Sequence, residues 1–99
     1  MNELHQIKVA VEAMDNAQWE SAISILIRML SDAERSGPRL ESIVRVLLAQ
    51  AMHSDGDQAR ARLQARKALQ TAEQTDDRGL IWKCMALLTS MEIIEGGRL

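Results

Sequence analysis

The sequence predicts an all-α protein of antiparallel helical hairpins stacked side by side, with about five helices in one domain over residues 1–99. Apolar residues recur at spacings of three and four between short turns that contain Gly, Asp or Asn, which is the pattern of amphipathic helices. Ala22 is echoed by Ala61, 39 residues later, and Leu30 and Leu69 have the same separation. Such an echo is typical of a helical-hairpin repeat, in which each hairpin packs against the next.

The first two helices are predicted over about residues 2–14 and 17–35, which together form a first repeat of about residues 2–36. Asp15 and Asn16 interrupt the apolar pattern between them, and their side chains are expected to cap the second helix. The apolar stripe of the first helix consists of Leu4, Ile7, Val11 and Met14. The inner face of the second helix is predicted to consist of Trp19, Ala22, Ile23, Leu26, Ile27 and Leu30.

The second predicted repeat covers about residues 38–75 and also contains two helices. Pro38 fits the first turn of the earlier helix, because an N–H missing there leaves no helical hydrogen bond unmade, and this helix is expected to run to Ser54. Asp57 is the expected N-cap of the later helix, which ends near Thr75. Short loops make consecutive helices antiparallel neighbours.

A fifth helix is predicted over about residues 78–95, opened by Asp76 and Asp77. Its apolar residues leave almost no polar side: they are Leu80, Ile81, Trp82, Cys84, Met85, Leu87, Leu88, Met91, Ile93 and Ile94. A helix that is apolar all round is normally buried all round. We therefore expect that the native chain continues beyond this helix or that another chain covers it.

Composition argues against several classes of function. The formal net charge of −2, with acids and bases evenly mixed, gives no bulk attraction to nucleic acid or to anionic membranes. The single cysteine, Cys84, cannot form an intrachain disulfide and indicates a reducing compartment. Residues 1–5 lack the features of a signal peptide, and no apolar stretch approaches the length that spans a bilayer, about 20 residues. We expect a cytoplasmic protein.

No set of side chains has the spacing of an active site or a metal site. His5, His53 and Cys84 are the only His and Cys side chains, and no two of them have zinc-site spacing. The acidic pairs at helix starts are explained by capping. The basic residues that cluster on the fourth helix are divided between two faces, without an aromatic side chain to stack bases: they are Arg60, Arg62, Arg66 and Lys67. We expect no enzyme activity, no cofactor, no nucleic acid partner and no membrane partner.

Trp19 and Trp82 are the only aromatic residues, since the chain has no Phe and no Tyr. The core must therefore be aliphatic and rich in Met. We expect both tryptophans to be buried anchors. The alternative for Trp82 is an interface hot spot, because the last helix needs cover.

The second predicted repeat resembles the tetratricopeptide-repeat (TPR) superfamily in its recurring small and apolar residues, which are Leu48, Ala49, Met52, Gly56, Asp57, Ala61, Ala68 and Leu69. The first hairpin is similar through Ala10, Trp19, Ala22 and Leu30. Residues 68–80 look like the longer repeats of maltose-activator-like, ATP-dependent transcription regulators. The resemblance implies a short TPR-like α-solenoid that holds a partner protein.

In such arrays the first helix of each repeat lines a concave groove. Carried over to this chain, the groove residues are Leu4, Ile7, Val11 and Met14, then Ile43, Val46, Gln50 and His53, then Ala86, Ser90 and Ile93. Partner contacts at the open end are expected from Trp82, Met85, Leu88 and Met91. An apolar lining suits an amphipathic partner helix. The alternative is that these side chains belong to the core.

The sequence thus predicts a non-catalytic protein–protein interaction module, which binds a helix or peptide of a partner through an apolar groove and the last helix. One alternative is a small chaperone or secretion escort that keeps an aggregation-prone helical client soluble. Another is a regulatory fragment of a transcription activator, whose DNA-recognition domain lies outside this chain. The last helix could also pair with that of a second copy in a homodimer.

Overall fold

The computed structural model describes residues 3–96, with side chains for residues 3–92. Residues 3–96 form five α-helices and no strand, which confirms the predicted all-α class. The helices are α1 (Glu3–Asp15), α2 (Trp19–Ser36), α3 (Pro38–Ser54), α4 (Gln58–Ala72) and α5 (Arg78–Gly96). The predicted helix start at residue 2 and the side chains of Ile93 and Ile94 lie outside the described residues.

Consecutive helices are joined by short turns and pack as hairpins, with α3 at the centre of the stack. α3 packs between α2 and α4 and also touches α1 and α5. The envelope measures 46 × 32 × 19 Å, so the molecule is about two helices thick. The main core is built around Val44, Leu48 and Met52 of α3, which are almost completely shielded from solvent.

The buried face of α2 recurs on α4, 39 residues later. The buried residues of α2 are Ala22, Leu26, Met29 and Ala33, and their counterparts on α4, also buried, are Ala61, Ala65, Ala68 and Ala72. The odd-numbered helices share one buried position of this register, which is occupied by Ala13, Met52 and Met91. The residues that recur in the sequence after 39 positions therefore occupy equivalent buried positions in the structure. The small side chains on α4 let its neighbours approach closely.

The turns after α1 and α3 share one backbone conformation. Ala17 and Gly56 occupy equivalent positions and both have positive φ, 56° and 92°. The next residue in each turn, Gln18 or Asp57, donates its N–H to the carbonyl five positions earlier, at 2.8 and 2.9 Å. This hydrogen bond closes the end of each helix in the manner of a left-handed C-terminal cap.

The predicted cap of α2 is wrong, whereas the predicted cap of α4 is confirmed. Asp15 is the last residue of α1, Asn16 lies in the turn, and the N-cap of α2 is Gln18. The Gln18 side chain makes no capping hydrogen bond. In α4, Asp57 Oδ1 accepts the backbone N–H of Arg60 at 3.1 Å, as an N-cap should.

α4 ends at Ala72, three residues before its predicted end at Thr75. The Thr75 hydroxyl donates to the Ala72 carbonyl at 2.7 Å and accepts the N–H of Asp77 at 3.1 Å. A side chain therefore takes over the hydrogen bonding that would otherwise continue the helix. Asp77 then caps α5 through the Leu80 N–H at 3.0 Å, in agreement with the predicted start of that helix.

The inner face of α2 differs from the predicted one. Ile27, which was expected to face inward, is 45% exposed, whereas Met29 and Ala33 are buried. Met29 and Ala33 belong to the same core cluster as Val44 and Leu48 of α3. The packing of α3 thus selects one of two overlapping apolar faces that the α2 sequence offers.

Candidate partner-binding face on the last helix

The last helix, α5, is buried on one side only. Cys84 and Met91 are 0% and 4% exposed on that side. The flanking side chains are half-buried and pack against the rest of the stack: they are Leu80, Ile81, Leu87 and Leu88. The other side carries Trp82 and Met85, which are 72% and 44% exposed. The expectation that Trp82 is a buried anchor is therefore wrong.

We define the outer α5 face as the exposed stripe that consists of Trp82, Met85, Ala86 and Thr89. At about 100° per residue, these four positions fall within roughly 100° of the helix circumference. They form a continuous stripe about two turns long. Large apolar side chains grouped in water, rather than scattered singly, mark interaction sites.

The repeat explains why this face is open. Val46 of α3 and Met85 of α5 occupy equivalent positions, 39 residues apart. Val46 is 4% exposed because it lies in a cluster with Ala68 of α4 and Cys84 of α5. No helix among residues 3–96 follows α5, so Met85 has no corresponding cover. The outer α5 face is the place where one more helix would continue the packing of the stack.

The opposite end of the stack carries polar groups. On α1, the counterparts of the buried residues Val44 and Leu48 are His5 and Val9. His5 is exposed, and Val9, 38% exposed, lines an open cavity together with Arg28. Repeat arrays need terminal outer faces that tolerate water. The α1 end combines His and Arg side chains with the exposed apolar residues Leu4 and Val9, whereas the outer α5 face contains no charged side chain.

The predicted groove residues of α1 are accessible to different degrees. Leu4 is 72% exposed, whereas Ile7, Val11 and Met14 are half-buried. Ile7 packs against the main core, and Met14 packs against a smaller cluster that includes Ala13. Among residues 3–96, α1 and α5 both touch α3 and no contact between α1 and α5 is found, so the α1 residues and the outer α5 face are separate surfaces.

Two predicted contact residues are part of the core of this chain. Val46 and Met91 are each 4% exposed and pack within the described clusters. They therefore offer no surface to a partner. Ile43 and Gln50 are half-buried, and Leu88 is half-buried against the main core.

The groove residues predicted on α5 do not follow the 39-residue register. Ala86 and Ser90 are exposed, and the side chain of Ile93 lies outside the described residues. Counted from Gln50, the register leads instead to Thr89, which is exposed on the outer α5 face. The separation of 39 residues between Ala22 and Ala61, applied to Gln50, would have identified Thr89 from the sequence. His53, the last groove residue predicted on α3, is half-buried.

A buried arginine ties three helices together. Arg45 of α3 is 8% exposed. Its guanidinium donates to Glu41 and to Gln64 of α4, both at 2.9 Å, and pairs with Glu34 of α2 at 3.4 Å. Because one planar group with five donors serves all three partners, it fixes the position of α2 and α4 relative to α3.

Ser42 makes a second polar link, from α3 to α4 and α5. Its hydroxyl donates to the Ala68 carbonyl at 2.9 Å and lies 3.4 Å from Cys84 Sγ. All three residues are 0% exposed. A buried thiol acts as a small apolar packing group. Cys84 and Ser42 therefore fix the inner side of α5, and with it the direction in which Trp82 faces.

The described side chains include no group of three His, Cys, Asp or Glu residues placed to hold a metal ion. None of the described helices is both long enough and apolar enough to cross a membrane. Comparison with known protein families, with curated proteins and with solved structures finds no significant match. The function must therefore be inferred from the geometry of the chain itself.

Proposed function

We propose that this chain is a non-catalytic protein–protein interaction module, a short TPR-like repeat protein that binds a partner helix along the outer α5 face. The observation that carries the proposal is Trp82, which is 72% exposed within an apolar stripe. Tryptophan is enriched at interface hot spots because it supplies a large contact area with few rotatable bonds.

Binding extends the packing that the stack already uses. The partner helix covers Trp82 and Met85 of α5 in the way that α4 and α5 together cover Val46 of α3. An aromatic side chain buries about 200 Å², so covering the exposed part of Trp82 contributes about 3–4 kcal/mol. Association and side-chain ordering subtract from this gain. The partner therefore needs several apolar residues at spacings of three and four to bind stably.

The TPR-like relationship is supported by the 39-residue repeat of burial and by the repeated turn at Ala17 and Gly56. The α1 stripe, with Leu4 exposed and Val11 half-buried, gives a longer partner a second apolar contact. The free thiol of Cys84 supports a location in the reducing cytoplasm.

Replacing Trp82 by a charged residue tests the proposal. Leu63→Glu is the matched control, because Leu63 is an exposed apolar residue, 46% accessible, on a different helix. Tagged wild-type chain and both variants capture proteins from an extract of the source cells, and the captured proteins are quantified by mass spectrometry. We expect a partner that wild type and Leu63→Glu retain equally and that Trp82→Glu loses at least ten-fold. Equal capture by all three, with unchanged helicity by circular dichroism, contradicts the proposal.

A further inference from the structure

We infer that the outer α5 face pairs with the same face of a second copy of this chain, in an antiparallel dimer whose two-fold axis passes beside Met85. The inference rests on the proposed function and names the partner helix. A closed two-fold contact needs one surface that is complementary to itself. The residues along α5 meet this requirement.

The charges on α5 are complementary in the antiparallel direction. Arg78, Met85 and Glu92 are spaced by seven residues, or about two helical turns, and therefore lie on one side of the helix. In an antiparallel pair centred on Met85, Arg78 of each copy meets Glu92 of the other. A parallel pair would instead place each charge beside its own kind, which is unfavourable.

Both charged groups are accessible at the surface. Arg78 is exposed, and the Glu92 side chain is 51% exposed. Glu92 already pairs with Arg66 of α4 at 3.5 Å. A carboxylate has about four acceptor sites, so Glu92 can accept from Arg78 of a second copy while it keeps Arg66.

The apolar residues lie between these charged ends. At the axis, Met85 meets Met85 of the second copy. Trp82, three residues before the axis, lies against Met85 and Thr89 of the second copy, and the small side chain of Ala86 lets the two helices approach closely. The symmetry repeats every contact away from the axis, so a substitution of Trp82 removes its contacts twice in each dimer.

The α1 end is a poor alternative to a second α5. His5, Gln6 and Arg28 line the open cavity there, and these polar groups would lose water where they lie against Trp82. A head-to-tail contact between the α1 and α5 ends would also continue from copy to copy as an open filament. The α5 pair closes at two copies.

Light scattering after size exclusion across a dilution series tests the dimer itself. We expect twice the 11.1 kDa mass of one chain at high concentration. Trp82→Glu should raise the dissociation constant by at least about 30-fold, the effect of losing a hot spot, whereas Leu63→Glu should leave it unchanged. A wild-type chain that is monomeric at every concentration overturns the inference. It does not contradict the proposed function, which the capture experiment tests separately. A dimer that Trp82→Glu does not weaken also overturns the inference.

Cysteine cross-linking tests whether Met85 lies at the two-fold axis. Cys84 is buried and is left in place, so Met85→Cys places one accessible thiol at the axis, and Ser90→Cys places an exposed thiol about 140° away around α5. We expect mild oxidation to yield covalent dimer from Met85→Cys at least ten-fold faster than from Ser90→Cys. Equal rates mean that Met85 does not lie at the axis, and they overturn the inference.

A charge exchange between Arg78 and Glu92 tests the antiparallel direction of the pair. Arg78→Glu and Glu92→Arg should each weaken the dimer about ten-fold, and the double variant should recover most of the loss. If the double variant is as weak as the sum of both single changes, Arg78 does not meet Glu92 and the antiparallel register is overturned.

Discussion

Ala17 and Gly56 stand 39 residues apart at the same position of two equivalent turns, and both have positive φ, 56° and 92°. Glycine adopts this conformation without strain, whereas the Cβ of alanine makes it unfavourable. The space around a Cβ at Gly56 is open to 4 Å, so backbone strain alone distinguishes the two residues there. The turn at Ala17 is therefore the strained member of the pair.

Ala17→Gly should raise the free energy of unfolding by about 0.5–1 kcal/mol, because it relieves this strain. The reciprocal change, Gly56→Ala, should lower it by about 1 kcal/mol. Urea unfolding followed by circular dichroism measures both. A loss of stability in Ala17→Gly would mean that the turn at Ala17 stores no strain.

Gln18→Asp should also stabilise the chain. Gln18 is the counterpart of Asp57, and their φ angles are −92° and −91°, but only Asp57 caps its helix with a side-chain oxygen. A new cap typically contributes about 0.5–1 kcal/mol to the free energy of unfolding. Gln18→Ala is the control and should change little, whereas Asp57→Ala should cost about 1 kcal/mol. Equal stability of Gln18→Asp and Gln18→Ala would contradict the prediction.

The helix bounds were predicted well where the sequence has a start residue and a turn residue at the two ends of the helix. α3 has its predicted bounds because Pro38 starts it and the turn at Gly56 ends it. The end of α4 was predicted too late because Thr75 and Thr71 carry no strong stop signal, and the hydrogen bond of the Thr75 hydroxyl becomes apparent only in three dimensions. The spacing of apolar residues thus predicted that each helix exists, whereas the end of α4 depended on the Thr75 side chain.

The accessible side of α5 could not be predicted from periodicity, because apolar residues lie on nearly all sides of the helix and no polar face marks the side that is exposed. The contacts of Cys84 with Ser42 and the neighbouring cluster decide that Trp82 faces outward. The 39-residue register aligns Met85 with Val46. It therefore identifies equivalent positions on α3 and α5, but it does not predict whether another helix covers the position on α5.

Arg45→Ala should lower the free energy of unfolding by about 2–4 kcal/mol. The change removes the side chain that joins Glu34, Glu41 and Gln64, and it leaves Glu41, whose side chain is 20% exposed, without its cation. Arg35→Ala is the matched control.

The Arg35 control removes an ion pair of a different kind. Arg35 pairs with Asp32, and the two side chains are 76% and 60% exposed. Exposed pairs contribute little, so we expect a change below about 0.5 kcal/mol. Denaturant unfolding of both variants gives the comparison. Similar small changes in the two would show that the Arg45 network does not hold α2, α3 and α4 together.

Leu4→Asp and Ile7→Asp should separate the surface of α1 from its core. Leu4 is 72% exposed, so an aspartate there should change the free energy of unfolding by less than about 0.5 kcal/mol. Ile7 is half-buried against the main core, so the same change should cost about 2–4 kcal/mol, because a charge replaces a packed apolar side chain. If Ile7→Asp unfolds as wild type does but loses a partner that Leu4→Asp keeps, Ile7 lines a groove and its packing against the core is dispensable. If both variants retain their helicity and only Ile7→Asp unfolds at a lower denaturant concentration, Ile7 belongs to the core and does not line a groove.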